Sequence, residues 1–461
     1  MSRVSRRQFL QTSSTAALGA GLGAAGCATA PKEKLVMAAA GPGKGPGKAT
    51  PNEKIMVGII GAAGRAQAHI ESLSQYPDVE IAALADCYEK HLKDSAAKIG
   101  KMSPVGKAPK TYSDWRDLIA HPGLDAVFVV TPPHWHPLMT ITALEAGLDV
   151  YCEKPMAMTP TEARLMVKAA RRNNRITQVG TQIHAGENYR RVVEIVRSGI
   201  LGKITEVRTG VALNEAPDGI GKVADSNPPD GLNWDMWCGP LETMPFNQAR
   251  FVGGQHRYFA NTIGSWLHEL GPHIVDLPVW AMDMGAPKSA YSVGGKFATE
   301  DMSTIPDTME TTWEYPGYIM TWSNTCANSH MHSADRTPTI KRRNIIGFYG
   351  VNGTLLADYS DYELISEGER MIDPKLPDPY LPRPKAHDRE FLDAIKSREL
   401  PSCDVETHYP LHLALNLGNI AYKVGRKVVW DEEKGEIMGD REANALVTPN
   451  YRAPWELPKI G

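Results

Sequence analysis

From residue 54 onward the chain alternates short apolar runs with amphipathic stretches. Ile55-Met56-Val57-Gly58-Ile59-Ile60 has the continuity of a buried strand, Gly61-Ala62-Ala63-Gly64-Arg65 interrupts it, and Ala68, Ile70 and Leu73 follow in an amphipathic stretch. The predicted order is strand, glycine turn, helix. A second strand is predicted at Val79–Ala85, ending on Asp86. Residues 125–130 and 149–152 are apolar runs of the kind buried on both faces in parallel sheets, and they end at Thr131-Pro132-Pro133-His134-Trp135-His136 and Glu153-Lys154-Pro155. Residues 177–182 form a further strand candidate. Beyond them the texture changes to the period-two, aromatic-rich pattern of half-exposed strands, at 204–209, 309–315 and 318–322, with Gly350-Val351-Asn352-Gly353 as a turn.

Composition narrows the class. The 461 residues, 42% hydrophobic with a formal net charge of -3, suit about two globular domains. Without a basic stripe, binding driven by counterion release has no footprint, so no nucleic-acid partner is expected and a small ligand fits better. At the head of the chain, Ser5-Arg6-Arg7-Gln8-Phe9-Leu10 precedes a small-residue apolar run from Ala16 to Ala25. This pattern predicts a twin-arginine export signal over residues 1–27, hence the twin-arginine machinery as partner and a periplasmic or exported destination. Ala24-Ala25-Gly26-Cys27 resembles a lipoprotein box, with Ala24 where a large aliphatic residue is usual, and leaves a lipid anchor at Cys27 open. Residues 28–52, with Pro31, Pro42, Pro46 and Pro51, form a tether. The cysteines at 27, 87, 152, 238, 326 and 403 have neither disulfide-framework nor metal spacing and are expected to behave as small hydrophobes.

The glycine turn and Asp86, 22 residues after Gly64, form the two halves of a dinucleotide fingerprint. Glycine lets the backbone approach the pyrophosphate, the helix N-terminus supplies amide donors, and the carboxylate accepts from ribose hydroxyls. A carboxylate repels a 2′-phosphate, so NAD is preferred over NADP. Gly61, Ala63, Gly64, Arg65 and Asp86 are the candidate contacts; Ala63 and Ala66 replace the second and third fingerprint glycines. Ligands in parallel sheets lie beyond the strands' C-terminal ends, which places His136 and Lys154 at the same crevice.

Glu153-Lys154-Pro155, Thr131-Pro132 followed by His136, the segment Thr177-Gln178-Val179-Gly180-Thr181-Gln182, and Gly271-Pro272-His273-Ile274-Val275-Asp276 together resemble the Gfo/Idh/MocA oxidoreductases, the glucose–fructose oxidoreductase and inositol dehydrogenase type. His387-Asp388-Arg389-Glu390-Phe391 and Leu417-Gly418-Asn419-Ile420-Ala421 resemble a secreted branch of that family. The resemblance implies an α/β protein: a Rossmann dinucleotide-binding domain at 53–180, then an α+β domain at 181–461 with an open, mainly antiparallel sheet that forms the substrate wall and often a homo-oligomer interface. It adds Thr131, Pro132, His136, Glu153, Lys154 and Gln182 to the cofactor contacts. It also makes Lys154 the catalytic lysine, an ammonium that stabilises developing alkoxide in a water-poor site.

His273 is the candidate base, because taking hydride from a carbinol carbon also requires a proton to leave the oxygen. Glu269 is its expected partner; the family commonly has aspartate four residues before this histidine, a spacing that shares one helix face. His268 is a rival base, Asp276 either binds a substrate hydroxyl or caps local structure, and Trp234 and Trp237 either stack on a sugar or pack in the core. The His134/His136 and His330/His332 pairs lack a third ligand, so no metal is expected.

The implied activity is hydride transfer between tightly bound NAD and a sugar or glycoside hydroxyl. An exported enzyme has no nicotinamide pool to draw on, so the cofactor acts as a resident redox group. Two alternatives are carried: an NAD-dependent glycosidase acting by transient oxidation and elimination, and a non-catalytic carbohydrate-binding protein on the same fold. The choice of sugar is expected to depend on loops 214–233 and 324–339.

Overall fold

A computed structural model of the chain describes residues 54–103, 106–329 and 344–460. The export signal, Cys27, the tether, and the His330/His332 pair lie outside the described residues.

The apolar runs become a six-stranded sheet of β1 (Ile55–Ile60), β2 (Val79–Ala85), β3 (Lys110–Tyr112), β4 (Ala126–Val129), β5 (Asp149–Cys152) and β6 (Thr177–Val179), in the order β3-β2-β1-β4-β5-β6. Every pairing is parallel, which is the doubly wound dinucleotide-binding topology. Both faces are covered, which is why the strands are almost continuously apolar. Ile60, Val127 and Val150 pack with Leu138 and Met166 on one side, and Ile59, Phe128 and Tyr151 pack with Ile70 and Leu92 on the other. The sixth strand stops at Val179 instead of continuing to Gln182. A Cβ on Gly180 would fall 2.8 Å from the Glu153 carboxylate, and Thr181 N turns back to Val179 O at 2.7 Å, starting the 3-10 turn Gln182–Ala185.

The second sheet has nine strands: β7 (Ile204–Ala212), β8 (Ser289–Gly295), β9 (Thr308–Tyr315), β10 (Tyr318–Thr325), β11 (Asn344–Gly350), β12 (Gly353–Ala357), β13 (Tyr362–Ser366), β14 (Val428–Asp431) and β15 (Glu436–Ile437). Their order is β13-β12-β11-β7-β10-β9-β8-β14-β15, with β7 and β10 parallel and the other neighbours antiparallel. In β9, Met309, Thr311, Trp313 and Tyr315 are buried while Glu310, Thr312 and Glu314 are exposed, the period-two pattern of a sheet covered on one face. Helices Glu187–Arg197, Trp266–Ile274, Asp276–Met282 and Val405–Val424 cover the inner face; the open face presents Tyr291, Val293 and Ile319.

The C-terminal part of the chain returns to the first sheet. Phe391, Leu392 and Ile395 of helix His387–Ser397 enter the core beside Phe128 and Tyr151, and Trp455 packs against Trp115 and Trp135. The described cysteines are all free; four are buried, and Cys87 is half-buried. Among the described residues no helix is long and apolar enough to cross a membrane.

Candidate functional site

The turn after β1 is shaped for a close backbone approach. Gly61 sits at φ +90°, and a Cβ there would fall 2.5 Å from Val130 O, so only glycine fits. Ala66, at the third fingerprint position, is fully buried where helix Ala66–Leu73 begins, and its methyl is accommodated. Asp86 closes the turn from the end of β2: its Oδ2 accepts from Ala62 N at 2.7 Å and its Oδ1 from Tyr88 N at 2.9 Å.

The loops after all six parallel strands line one cleft of about 850 Å³. Gly61, Ala63, Gly64 and Arg65 enter it after β1, Asp86 after β2, and Ser113 after β3; Thr131 and Pro132 follow β4, Glu153 and Lys154 follow β5, and Gln182 follows β6. Its only lining cations among the described residues are Arg65 in the pyrophosphate turn, Lys154 and Arg257, and none of the three lies on the loop that carries Asp86. That arrangement fits a dinucleotide whose ribose hydroxyls meet a carboxylate, and it offers a 2′-phosphate no partner on that loop.

Glu153 anchors the middle of the cleft. Its carboxylate is within 2.9 Å of His69 Nε2, 3.1 Å of Arg65 Nε and 3.2 Å of Gln182 Nε2. Burial works against its charge, but His69 and Arg65 overcome it and hold the group well below the usual carboxylate range. Arg65 is thereby fixed across the turn.

On the far wall, helix Trp266–Ile274 brings in Glu269 and His273, which line the cleft with Lys154. Lys154 Nζ donates to the Glu269 main-chain oxygen at 2.9 Å and forms an ion pair with Glu269 Oε1 at the same distance. The same Oε1 lies 3.5 Å from Arg257 Nη1. Burial alone would raise the Glu269 pKa, but Lys154 and Arg257 keep it below its ordinary value. His273 is pulled down to about 4, by desolvation first and then by the nearby Lys154 charge, so it presents a neutral imidazole near neutral pH. His256, also in the lining, is lowered to about 4 by burial.

Several expected contacts lie elsewhere. His136 is buried behind the wall, its ring nitrogens facing Pro155 O at 2.8 Å and Thr131 O at 2.7 Å, so it braces the two loops instead of touching cofactor. His268 points into the core between Asn416 and Asn419, at 2.7 Å and 2.5 Å, and is no rival base. Asp276 neither reaches the cleft nor serves as a cap; it lies buried between His184 and His408. Trp234 stacks on Trp237 at 4.4 Å and donates to Met244 O, and it is Trp237 that lines the cleft. Glu269 shares a helix face with His273 as expected, yet its carboxylate is committed to Lys154 and Arg257.

Arg257, His256 and Phe251 were not anticipated as wall residues, whereas Trp237 was one of the two tryptophans expected near the crevice. They come from the irregular stretch between β7 and helix Trp266–Ile274, where the available signal was the glycine pair Gly253-Gly254, both at positive φ just before His256.

Comparison with known proteins agrees with this geometry. Residues 55–181 match the model of an oxidoreductase family described by its NAD-binding Rossmann fold, and residues 359–457 match the C-terminal alpha/beta domain of such a family. An uncharacterized oxidoreductase of Bacillus subtilis, YrbE, is 29% identical over 207 residues, covering 44% of this chain and 54% of its own length. A glycosyl hydrolase family 109 protein of Shewanella baltica is 28% identical over 211 residues, covering 44% and 45%. The chain thus spans about half the length of the curated relatives it matches. The WlbA dehydrogenase from Bordetella pertussis, solved with NADH and UDP-GlcNAcA, superposes with a TM-score of 0.60 at 19% identity, over 82% of this chain and 99% of that one, a likeness of fold.

Proposed function

Because this chain belongs to the Gfo/Idh/MocA oxidoreductase family, we propose that it transfers hydride between NAD held in the cleft and a hydroxyl-bearing carbon of a sugar or glycoside. The observation that carries the reading is the meeting of Lys154 and His273 in the same cleft as the glycine turn and Asp86. Bound NAD supplies the hydride acceptor at a fixed place. Lys154, tied to Glu269, holds its ammonium toward the substrate oxygen and stabilises the charge that develops as the proton leaves. A neutral imidazole nitrogen of His273 takes that proton. Trp237 and Phe251 give the wall an apolar face suited to a sugar ring.

A second reading is favoured by two observations: the relatives named glycosyl hydrolase family 109, and the second neutral imidazole of His256 in the lining. In it, oxidation at a ring carbon acidifies the neighbouring C–H, a base removes that proton, the glycosidic group leaves by elimination as its oxygen takes up a proton, water adds in its place, and the hydride returns to the oxidised carbon, so the cycle is redox-neutral. Release of free sugar without added cofactor separates this reading from net oxidation. The purely sugar-binding alternative leaves Lys154, Glu269, His273 and Asp86 meeting by coincidence, and it is set aside.

Export by the twin-arginine route, with tight NAD retention and a homo-oligomer formed through the open sheet face, completes the proposal. The paired arginines support the first and the exposed Tyr291, Val293 and Ile319 support the last. The test is to purify the protein without added cofactor, denature it, and identify released dinucleotide by mass spectrometry, then to follow sugar-dependent reduction. Stoichiometric NAD that sugar reduces supports the proposal; no dinucleotide, and no binding when NAD is supplied, overturns it.

A further inference from the structure

Asp276 opens onto a second cluster, behind the cleft and absent from its lining. His184, Asp276, Cys403 and His408 are all buried and come from four separate places: the turn Gln182–Ala185, the first residue of helix Asp276–Met282, the loop before helix Val405–Val424, and the first turn of that helix. The ligating atoms of His184, Cys403 and His408 all lie within 4.8 Å of one another. Asp276 Oδ2 is 2.8 Å from His184 Nε2, and its Oδ1 is 3.6 Å from His408 Nε2. His184 Nε2 and Asp276 Oδ2 face each other as an ion pair, and neither hydrogen-bonds to any other group. Two imidazoles, a thiol and a carboxylate are costly to bury side by side, and their convergence points to a shared cation.

We propose that these four side chains bind one zinc-class divalent cation. Two imidazoles, a thiol and a carboxylate form the donor set of a borderline-soft metal with four-coordinate geometry, and they exclude the oxygen-only preference of calcium or magnesium. Charge also balances: a thiolate and a carboxylate neutralise a dication, leaving no net charge in a buried place. On binding, the Cys403 thiol loses its proton to solvent, as does whichever imidazole carries one. Thr181 Oγ1 lies 3.3 Å from Cys403 Sγ, a contact that can persist beside a metal, and 2.6 Å from His408 Nε2, which the hydroxyl must release where that nitrogen becomes the ligand. The Nδ1 atoms of His184 and His408 have no protein partner and favour neither state.

The competing state is an ion triad in which Asp276 lies between the two histidines and His408, raised to about 9 by Asp276 against its burial, carries a proton. It accounts for the carboxylate and one histidine, and leaves Cys403 as a thiol that donates to Thr181 O at 3.7 Å and accepts from Thr181 Oγ1 at 3.3 Å. With all four ligands supplied by protein, the cation is structural, tying the helices that follow His273 to helix Val405–Val424 and to the turn holding Gln182.

The test uses the full chain, produced in zinc-supplemented medium, freed of any affinity tag and dialysed against a weak chelator before elemental analysis. About one zinc per chain is expected, falling below about a tenth in Cys403→Ser and His184→Asn. Refolding the wild type with cobalt is expected to give thiolate-to-metal absorption in the near ultraviolet, which needs only the wild-type protein and so survives any misfolding of the variants. Less than about a tenth of a metal per chain with no cobalt band overturns the proposal in favour of the ion triad, and so does metal retained at full occupancy by a folded Cys403→Ser variant.

Discussion

Two faces of one stretch, residues 266–282, divide the chemistry of this protein. Glu269 and His273 face the cleft, where one is charged and tied to Lys154 and the other is neutral and half-buried. His268 and Asp276 face the interior, where the first is held by Asn416 and Asn419 and the second lies between two histidines. The residue types are the same on both faces, a histidine and a carboxylate. What differs is access: a base must meet solvent or substrate to exchange its proton, whereas a buried imidazole with fixed neighbours serves packing. Side-chain chemistry therefore nominates residues here, and helix phase selects among them.

The largest effect should come from the group that both readings of the cleft need. Lys154→Ala removes the ammonium beside the reacting oxygen and is expected to lower the rate of sugar-driven NAD reduction by roughly 100- to 1000-fold. Dinucleotide retention, governed by the turn and Asp86, should survive. Single-turnover absorbance at the reduced-nicotinamide band measures the first and mass spectrometry the second; an unchanged rate removes Lys154 from the chemistry.

Next in size is the contrast between the two histidines. His273→Asn is expected to cost about 100-fold in rate with little change in Tm, because the base is lost from a half-buried place. With its pKa near 4, His273 is a competent base above that value, so wild-type activity should fall as pH drops through about 4. His268→Ala should instead leave the remaining rate near normal and cost about 1–3 kcal/mol of stability by stranding Asn416 and Asn419. Its folded pKa of about 4 lies below the ordinary 6.5, so the unfolded chain takes up the extra proton first, and stability falls as pH drops from about 6.5 to about 4. Denaturant unfolding at pH 7 and pH 5 should show a shallower acid loss in the variant than in wild type. Reversed results, with His268 kinetic and His273 structural, would break the comparison outright.

The contrast also explains what was legible beforehand. The parallel strands, the glycine turn, Asp86 and Lys154 were readable because each is fixed by local pattern: an apolar run, a turn residue, and the residue just past a strand end. The faces of helix Trp266–Ile274 were not, because apolar residues surround it on most sides and the phase is set by packing against helix Val405–Val424, more than a hundred residues away. His136 misled for a related reason: it does sit just past a strand, but its ring turns inward to the carbonyls of Thr131 and Pro155. Arg257 and His256 come from a stretch without periodicity, and the cluster of His184, Cys403 and His408 beside Asp276 has no sequence spacing at all.

The finest test concerns Glu269, which faces the cleft yet acts there through Lys154. The lysine is held twice by this one residue, through an ion pair to the carboxylate and a hydrogen bond to the main-chain oxygen, both at 2.9 Å. Removing the carboxylate in Glu269→Ala leaves the main-chain oxygen in place, so Lys154 loses charge support but keeps one anchor, and the rate should fall by about tenfold, a loss near 1.4 kcal/mol. Glu269→Asp keeps the charge but withdraws it by one methylene from both Lys154 and Arg257, and a loss of only a few fold is expected. The graded order of lysine, alanine at 269, then aspartate at 269 is the signature of a positioning residue. If Glu269→Ala instead matched Lys154→Ala and flattened the pH profile, the carboxylate would itself be moving the proton, and the division of labour between it and His273 would have to be redrawn.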